Sequence, residues 1–336
     1  MSAPHTTAST PSLAQLQRAR ELVYTQMGPT PQYAWPLLAE ALGAEIWVKH
    51  ENHTPTGAFK VRGGITFLAW LKETQPQCRG IVTATRGNHG QSQARAARAA
   101  GLEARIVVPR GNAREKNAAM RAFGATLVEH GEDFDASRRE AERLAAAEDL
   151  FLVPPFHPAL VNGVASYALE LFEAAGELER VYVPIGCGSG ICAVIAVRDA
   201  LGLSTEVVGV VSTEADAALR AFHSGEAEVS ASADTFADGM AVRAVVPEAL
   251  AIYRRGASDV VAVSDEAIAE AMRLYFSATH NVSEGAGAAP LAAAMQQREA
   301  NAGRRIGVIL CGGNVDTEVF AEVLAGRTPR VGRPGS

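Results

Sequence analysis

The chain is poor in lysine: its 31 basic residues include only four lysines, at positions 49, 60, 72 and 116. Chemistry that requires a primary amine therefore has few candidates. The four cysteines form no C-x-x-C pair, which argues against a disulfide framework and a zinc ribbon. No apolar run approaches the roughly 20 residues needed to cross a bilayer. A net charge of −6 provides no basic footprint for nucleic acid or an anionic membrane.

Length and composition are those of an ordinary globular protein. We expect the 336 residues to form about two domains. A content of 48% hydrophobic and 20% charged residues excludes disorder and fibrous repeats. Residues 1–12 lack the basic and apolar regions of a secretory signal, so a cytoplasmic protein is expected. Residues 1–12 and 326–336 are expected to be flexible tails.

Short apolar runs alternate with longer Ala/Leu/Glu/Arg segments through most of the sequence. Strands that are apolar throughout, each followed by a helix, are typical of parallel sheets covered on both faces. Because no Pro/Gly/Ser-rich linker separates two halves, we expect a second domain to be inserted into the first. The predicted strands are 46–48, 80–84, 104–109, 126–129, 151–153, 181–185, 207–211, 260–263 and 306–310, and the clearest helices are 138–147, 190–201 and 266–275.

Lys60 follows a Pro/Gly turn at the start of a predicted helix. An ordinary lysine is a solvated charge with a pKa of about 10.4. Burial and neighbouring charges turn a lysine into a nucleophile, as in Schiff-base enzymes. Lys60 lies beside Phe59 and two residues before Arg62, which makes it the candidate amine. Lys72 and Lys116 lie in polar helical segments and are predicted to face solvent.

A glycine-rich turn, residues 186–190, joins an apolar strand to an Ala/Val-rich helix. Glycines let backbone N–H groups point toward an anion, and a helix N-terminus adds a favourable dipole. The turn lacks the Gly-Lys-Ser/Thr of a Walker motif, and its third glycine is misplaced for a dinucleotide fingerprint. A single phosphate is the favoured ligand. A tight turn without a ligand is the alternative.

Two more polar turns follow predicted strands. The turn at 85–89 can present N–H groups to a carboxylate, and Asn88 offers both a donor and an acceptor. We interpret His89 as a helix-capping residue rather than a catalytic base. Cys311 opens the turn after strand 306–310, where ligands of open α/β sheets gather. Together the motifs suit a ligand with an aldehyde, a phosphate and a ring that needs polar partners, a description that fits pyridoxal phosphate.

Four motifs, taken in their order along the chain, resemble those of the threonine/serine dehydratase family of pyridoxal-phosphate enzymes (fold type II, the tryptophan-synthase-β type). The resemblance runs from about residue 13 to 324. It implies an α/β fold with two domains, each built on a central, mostly parallel sheet covered by helices. The motifs are Thr-Gly-Ala-Phe-Lys-Val-Arg-Gly at 56–63, Gly-Asn-His-Gly-Gln at 87–91, Val-Pro-Ile-Gly-Cys-Gly-Ser-Gly at 183–190 and Cys-Gly-Gly-Asn-Val-Asp at 311–316.

The resemblance also implies a domain division and roles for single residues. The large cofactor-binding domain would comprise 13–79 and 157–325, and the small inserted α/β domain 80–156. Lys60 would hold the cofactor as a Schiff base and, once freed, remove the Cα proton. Cys311 would face the pyridine nitrogen as a neutral thiol. The implied cofactor-binding residues are Phe59, Lys60, Asn88, Gly186, Cys187, Gly188, Ser189, Gly190, Gly239, Glu284 and Cys311, and the implied substrate-binding residues are Thr85, Arg86, Gly87, Asn88 and His89.

The implied activity is that of an ammonia-lyase, which eliminates water from a 3-hydroxy amino acid to give a 2-oxo acid and ammonia. Phenylserine, threonine and serine are the expected substrate types. The Thr-Arg-Gly-Asn-His variant is most similar to phenylserine dehydratases and to the hydroxyectoine-pathway dehydratases. Alternatives are a 3-hydroxyaspartate dehydratase, a β-replacement synthase and a cofactor-binding protein without turnover. A homodimer without nucleic-acid or membrane partners is expected.

Departures from the family pattern narrow these expectations. Arg86 stands where relatives usually carry the serine that acts as acid/base in serine racemases, and arginine does not deprotonate in proteins. Arg86 is expected to bind a substrate carboxylate or stack on an aromatic ring, with a solvent-facing arginine as the alternative. The segment 209–217 aligns with a cation site of the family, but Val211 and Ala217 lack the oxygens that hard divalent cations need, so no Mg²⁺ or Ca²⁺ is expected there. A monovalent cation held by backbone carbonyls is the alternative. The chain is also expected to lack the regulatory domain of biosynthetic threonine deaminases.

Overall fold

A computed structural model describes residues 11–330, so most of both predicted tails lies outside the described residues. No helix within that range is long and apolar enough to cross a membrane. The helices are α1 (Leu13–Tyr24), α2 (Pro36–Leu42), α3 (Lys60–Thr74), α4 (Asn88–Ala100), α5 (Arg114–Ala122), α6 (Phe134–Glu148), α7 (Pro158–Ala175), α8 (Ser189–Ala200), α9 (Ala217–Ser224), α10 (Pro247–Gly256), α11 (Asp265–Thr279), α12 (Gly285–Gln296), α13 (Arg298–Asn301) and α14 (Thr317–Leu324). The strands are β1 (Gln32–Ala34), β2 (Glu45–His50), β3 (Gly80–Ala84), β4 (Glu103–Val108), β5 (Thr126–Glu129), β6 (Phe151–Leu152), β7 (Arg180–Pro184), β8 (Glu206–Ser212), β9 (Asp259–Val263) and β10 (Arg305–Leu310).

Six strands form the larger sheet, in the order β1-β2-β10-β7-β8-β9. All of its pairs are parallel except β1–β2. Its central strands are buried on both faces, which explains their uninterrupted apolar runs. The sequence pattern does not predict β1, a three-residue edge strand with an exposed Tyr33. A strand at the edge of a sheet is not buried on both faces, so its sequence need not be a continuous run of apolar residues.

Four strands form the smaller, fully parallel sheet, in the order β5-β4-β3-β6. These strands lie within residues 80–152. Helix α3 lies outside that range, but its Phe67, Leu68 and Leu71 pack in the same apolar cluster as Ile81 of β3. The prediction of two parallel sheets with helices on their faces is therefore confirmed. The domain boundaries stay a prediction.

Helix α12 runs through the core and brings its N-terminus to the carboxyl ends of the larger sheet. It packs against β7, β8, β9 and β10. Its residues from Gly285 to Ala294 are all buried, and they are mostly alanine. Small side chains let a helix lie this close to a sheet. Glu284, which immediately precedes the helix, is thereby held in the interior.

Candidate active site

Lys60 is the first residue of α3, and the end of β10 fixes its position. The N–H of Phe59 donates to the carbonyl oxygen of Cys311 at 2.9 Å. Ala58 forms an isolated bridge with Gly312. The Lys60 side chain is half-buried, and its Nζ lies 4.7 Å from the centroid of the Phe59 ring. The structure confirms the prediction that Lys60 begins a helix after a turn.

The charge of Lys60 contributes to the pKa of three groups, His89, Cys187 and Cys311, and all three are neutral near pH 7. Burial, assisted by Lys60, lowers the pKa of His89 to about 3. Burial raises the pKa of Cys187 and raises that of Cys311 well above its ordinary range, although Lys60 opposes both shifts. These three groups therefore place no charge beside the amine. The neutral Cys311 thiol agrees with the state that the resemblance implied.

The glycine turn at 186–190 forms a cradle at the N-terminus of α8. Gly188 has a φ of 93°, a conformation that favours glycine. A Cβ on Gly186 would overlap the carbonyl oxygen of Gly239, so the two backbones lie in contact. No side chain caps α8, which leaves its first N–H groups for an anion.

A chain of polar side chains crosses the region between the ends of β3 and β10. The Asn88 amide nitrogen Nδ2 donates to Glu284 Oε1 at 2.7 Å. Asn314 Nδ2 donates to Asn88 Oδ1 at 2.9 Å and to the Thr56 carbonyl oxygen at 2.7 Å. A Cβ on Gly312 would lie 2.6 Å from Glu284 Oε1. Asn88 and Glu284, which are 196 residues apart in sequence, are therefore direct partners.

The turn at 85–89 carries Arg86 and His89 on either side of Asn88 in the sequence. The backbone N–H of Gly87 donates to Thr85 Oγ1 at 3.0 Å, which fixes the turn. The prediction that His89 caps a helix is wrong: α4 begins at Asn88 without a side-chain cap, and His89 lies in its first turn. Among the described residues, neither Arg86 Nε nor His89 Nε2 has a hydrogen-bond partner, although both atoms are buried.

Lys116 was predicted to face solvent, and that prediction is wrong. Its side chain is buried, and its Nζ lies 2.5 Å from Asp238 Oδ2 and 3.3 Å from Glu284 Oε2. The polar residues around Lys116 in sequence do not indicate that it is buried, because its two carboxylate partners come close only in the folded chain. Lys72, in contrast, is exposed as expected.

No cluster of three or more His, Cys, Asp or Glu side chains between residues 11 and 330 could hold a metal ion. At the segment predicted not to bind Mg²⁺ or Ca²⁺, the side chains of Val211 and Ala217 are buried. The absence of a divalent cation at 209–217 stays a prediction.

Comparison with known proteins gives one consistent result. The family model described as "Pyridoxal-phosphate dependent enzyme" matches residues 23–312. The chain belongs to this family. Over 80% of its length it is 34% identical to the biosynthetic L-threonine dehydratase of Pasteurella multocida, of which it spans 53%, about half. It is 32% identical to an L-threo-3-hydroxyaspartate ammonia-lyase of a Pseudomonas species, covering 88% of this chain and 93% of the relative. The crystal structure of a threonine deaminase from the organism abbreviated T.th. matches with a TM-score of 0.85 at 31% identity, covering 91% and 99% of the two chains.

These matches confirm the resemblance to the threonine/serine dehydratases, the type II fold and pyridoxal 5′-phosphate as the cofactor. The residues present suit that cofactor. The half-buried Lys60 amine can react with its aldehyde, the uncapped N-terminus of α8 can take its phosphate, and the neutral Cys311 thiol can meet an unprotonated pyridine nitrogen.

Sequence reasoning overlooked one residue of this candidate site, Lys116. The Asp238 carboxylate beside it lies next to Gly239, one of the predicted cofactor-binding residues. The sequence carries one signal for Lys116: it is one of only four lysines. Scarcity alone does not distinguish a buried lysine from an exposed one.

Proposed function

We propose that this chain is an ammonia-lyase that uses pyridoxal phosphate to convert a 3-hydroxy amino acid of the phenylserine, threonine or serine type into a 2-oxo acid and ammonia. Water leaves from Cα and Cβ, and a second water releases ammonia from the resulting enamine. The proposal rests on Lys60, whose Nζ lies over the Phe59 ring, on the uncapped turn at 186–190 that this ring reaches at Gly190, and on the neutral Cys311 thiol. The activities of the L-threonine and L-threo-3-hydroxyaspartate ammonia-lyases to which the chain is similar support it.

In this proposal each residue has a defined task. When bound, the cofactor withdraws electrons from Cα. Lys60 carries the cofactor aldehyde and, as the free amine, removes the Cα proton. The backbone N–H groups of 186–190 bind the phosphate, and Asn88 orients the ring. Phe59, Gly239 and Glu284 line the ring site. The neutral Cys311 thiol leaves the pyridine nitrogen without a proton, which favours rapid expulsion of the β-hydroxyl over transamination.

The turn at 85–89 would bind the amino acid. Its N–H groups and the Asn88 amide suit the α-carboxylate. Arg86 Nε is buried without a partner among the described residues, and a buried donor left unpaired is costly. An anionic or aromatic substrate side chain would satisfy Arg86. This observation favours 3-hydroxyaspartate as a second candidate substrate.

A substrate panel tests the proposed reaction. We expect the holoenzyme to release 2-oxo acid and ammonia in equal amounts from at least one of phenylserine, threonine, serine or the two 3-hydroxyaspartates. We expect Arg86→Met to raise KM for an anionic or aromatic substrate about tenfold or more, because hydrogen bonds to charged groups contribute about 1.5–3 kcal/mol. KM for threonine should change little. Arg110→Met, which alters an exposed arginine in the same half of the chain, is the control.

The panel also separates the other classes of protein. A new C–S product from added thiol, without ammonia release, would identify a β-replacement synthase. A yellow protein inert toward every hydroxy amino acid would be a cofactor-binding protein only. Either result would contradict the proposed reaction while leaving the family assignment intact.

The cradle at 186–190 yields a separate prediction. In Gly188→Ala the new Cβ would lie 2.6 Å from Ala249 Cβ. A left-handed backbone also costs a non-glycine residue about 1–2 kcal/mol. We therefore expect the cofactor dissociation constant to rise about tenfold or more. Gly202→Ala is the matched control, because Gly202 has a φ of 65° but nothing within 4 Å of its Cβ position. Equal cofactor retention by the two variants on dialysis would show that the turn does not hold the phosphate.

We also propose that the protein is a cytoplasmic homodimer without nucleic-acid or membrane partners. Helix α11 packs against α2 and α14. Leu37, Phe276 and Leu324, on these three helices, are large exposed apolar side chains. Exposed apolar side chains on adjacent elements suit a protein interface. Light scattering should give twice the mass of the chain; the mass of a single chain would contradict the homodimer.

A further inference from the structure

Lys116 connects the two sheet systems inside the candidate site. It lies in α5, which packs beside the smaller sheet, and its ammonium contacts Asp238 and Glu284 from the larger one. To reach them its stem passes Gly87, where a Cβ would overlap Lys116 Cδ. A glycine at position 87 therefore keeps open the path that this side chain takes. An exposed lysine would need no such passage.

The contact continues through Glu284 to the residues around the cofactor. Glu284 Oε2 accepts from Lys116, while Glu284 Oε1 accepts from Asn88 Nδ2 at 2.7 Å. Asn88 Oδ1 in turn accepts from Asn314 Nδ2 at 2.9 Å. The Asn88 amide is thus held at both of its polar atoms, and its nitrogen depends on an acceptor at Glu284.

The charge on Glu284 depends on Lys116. Glu284 is buried, and burial raises the pKa of its carboxyl, with a smaller contribution of the same sign from Asp238. The Lys116 ammonium opposes that shift. Burial favours the neutral amine, but the two carboxylates outweigh it and raise the pKa of Lys116, so the cation persists. The other titratable group that faces Glu284 is the neutral Cys311 thiol. Lys116 is therefore the main support for an ionised Glu284.

We propose that Lys116 is a positioning residue of the active site: its ammonium holds the Glu284 carboxyl group, which in turn fixes the Asn88 amide against the cofactor. Because Lys116 and Asn88 come from helices beside the smaller sheet and Glu284 from the larger, the arrangement is complete only while the two halves are in contact. The inference rests on the cofactor position given under the proposed function, but not on the identity of the substrate.

The test is the pH dependence of cofactor retention by the holoenzyme. In Lys116→Met the carboxyl of Glu284 should take up its proton at higher pH. The pH at which half of the cofactor is lost on dialysis should therefore rise by about one pH unit or more, the usual effect of removing an adjacent opposite charge. Lys72→Met makes the same chemical change on the exposed face of α3 and should leave this pH unchanged. Lys116→Arg should restore most of the wild-type profile.

A second variant separates an action through Glu284 from a general loss of structure. In a Glu284→Gln background, Lys116→Met should shift the half-loss pH no further, because position 284, through which Lys116 is proposed to act, no longer carries a carboxyl. An unchanged profile in Lys116→Met, or an equal shift with and without Glu284, would overturn the inference. If Lys116→Met does not fold, Lys116→Arg is compared with wild type instead. A half-loss pH displaced in Lys116→Arg by as much as in Glu284→Gln would overturn the inference. The readout needs no turnover, so a failed substrate panel would contradict the proposed function alone.

Discussion

Lys60→Ala is expected to abolish turnover and to leave the fold nearly unchanged. General base catalysis alone contributes about 10²–10⁴-fold to a rate, and the variant also loses the amine that binds the cofactor aldehyde. The fold should persist because Lys60 forms no ion pair within 11–330 and lies at the N-terminus of α3, where a positive charge is unfavourable. The rate of oxo acid formation and the thermal unfolding midpoint measure the two effects.

The chain provides a matched control for this substitution. Lys72 lies on the same helix but is exposed, so Lys72→Ala should retain full activity. Borohydride reduction followed by peptide mapping should label Lys60 in the wild-type holoenzyme. A label on Lys116 would contradict the assignment, although Lys116 also lies at the site. We expect none there, because two carboxylates hold Lys116 as an ammonium, which is not nucleophilic.

The sequence was sufficient to predict the central strands and the two turns that lead into helices at Lys60 and at residues 186–190. Strands such as β7 and β10 are buried on both faces, so apolar runs mark them. The motif around Lys60 and the turn at 186–190 carry their own local geometry, a turn that leads into a helix. These features depend on residues that are close in sequence, so they can be predicted from one sequence alone.

What sequence reasoning missed depends on distant partners. Lys116 lies 122 residues from Asp238 and 168 from Glu284, and no local pattern marks such a contact. His89 follows a polar turn, where a capping role is plausible, but the path of α4 directs its ring inward. The carboxylates that pair with buried Lys116, and the packing around His89, are brought into place only when the chain folds.

Distant partners also form a network of four buried charges close in sequence and space to Lys60 through Arg62. Arg62, two residues after Lys60, donates from Nε to Glu51 Oε2 at 2.7 Å and from Nη1 to Glu170 Oε1 at 2.6 Å. Lys49 Nζ lies 2.5 Å from Glu170 Oε2. All four side chains are almost fully buried, and their formal charges sum to zero. Removing one charge would therefore leave an unbalanced charge in the interior.

Arg62→Met is expected to be the most destabilising substitution considered for this chain. It leaves two buried carboxylates with one cation, and breaking a buried pair costs about 3–5 kcal/mol. The urea unfolding midpoint at pH 7 should fall markedly, with the cofactor at a fixed concentration. Arg143→Met is the control: Arg143 pairs with Glu140 on the exposed face of α6, and its loss should leave the midpoint unchanged. Similar midpoints for the two variants would show that the buried network adds little.

The pH dependence distinguishes an electrostatic cause from a packing defect. In the wild type, Arg62 and then Lys49 hold the pKa of Glu170 below its ordinary value against the effect of burial. A carboxylate with a lowered folded-state pKa stabilises the fold above its unfolded pKa of about 4.3, and that contribution is lost as the pH falls through the folded value. In Arg62→Met, Glu170 keeps Lys49 but loses the stronger attraction of Arg62, so burial should raise its pKa above the unfolded value of about 4.3. The difference in unfolding free energy between wild type and variant should therefore narrow as the pH is lowered from 7 toward 5. A difference that stays constant over that range would assign the destabilisation to lost packing instead.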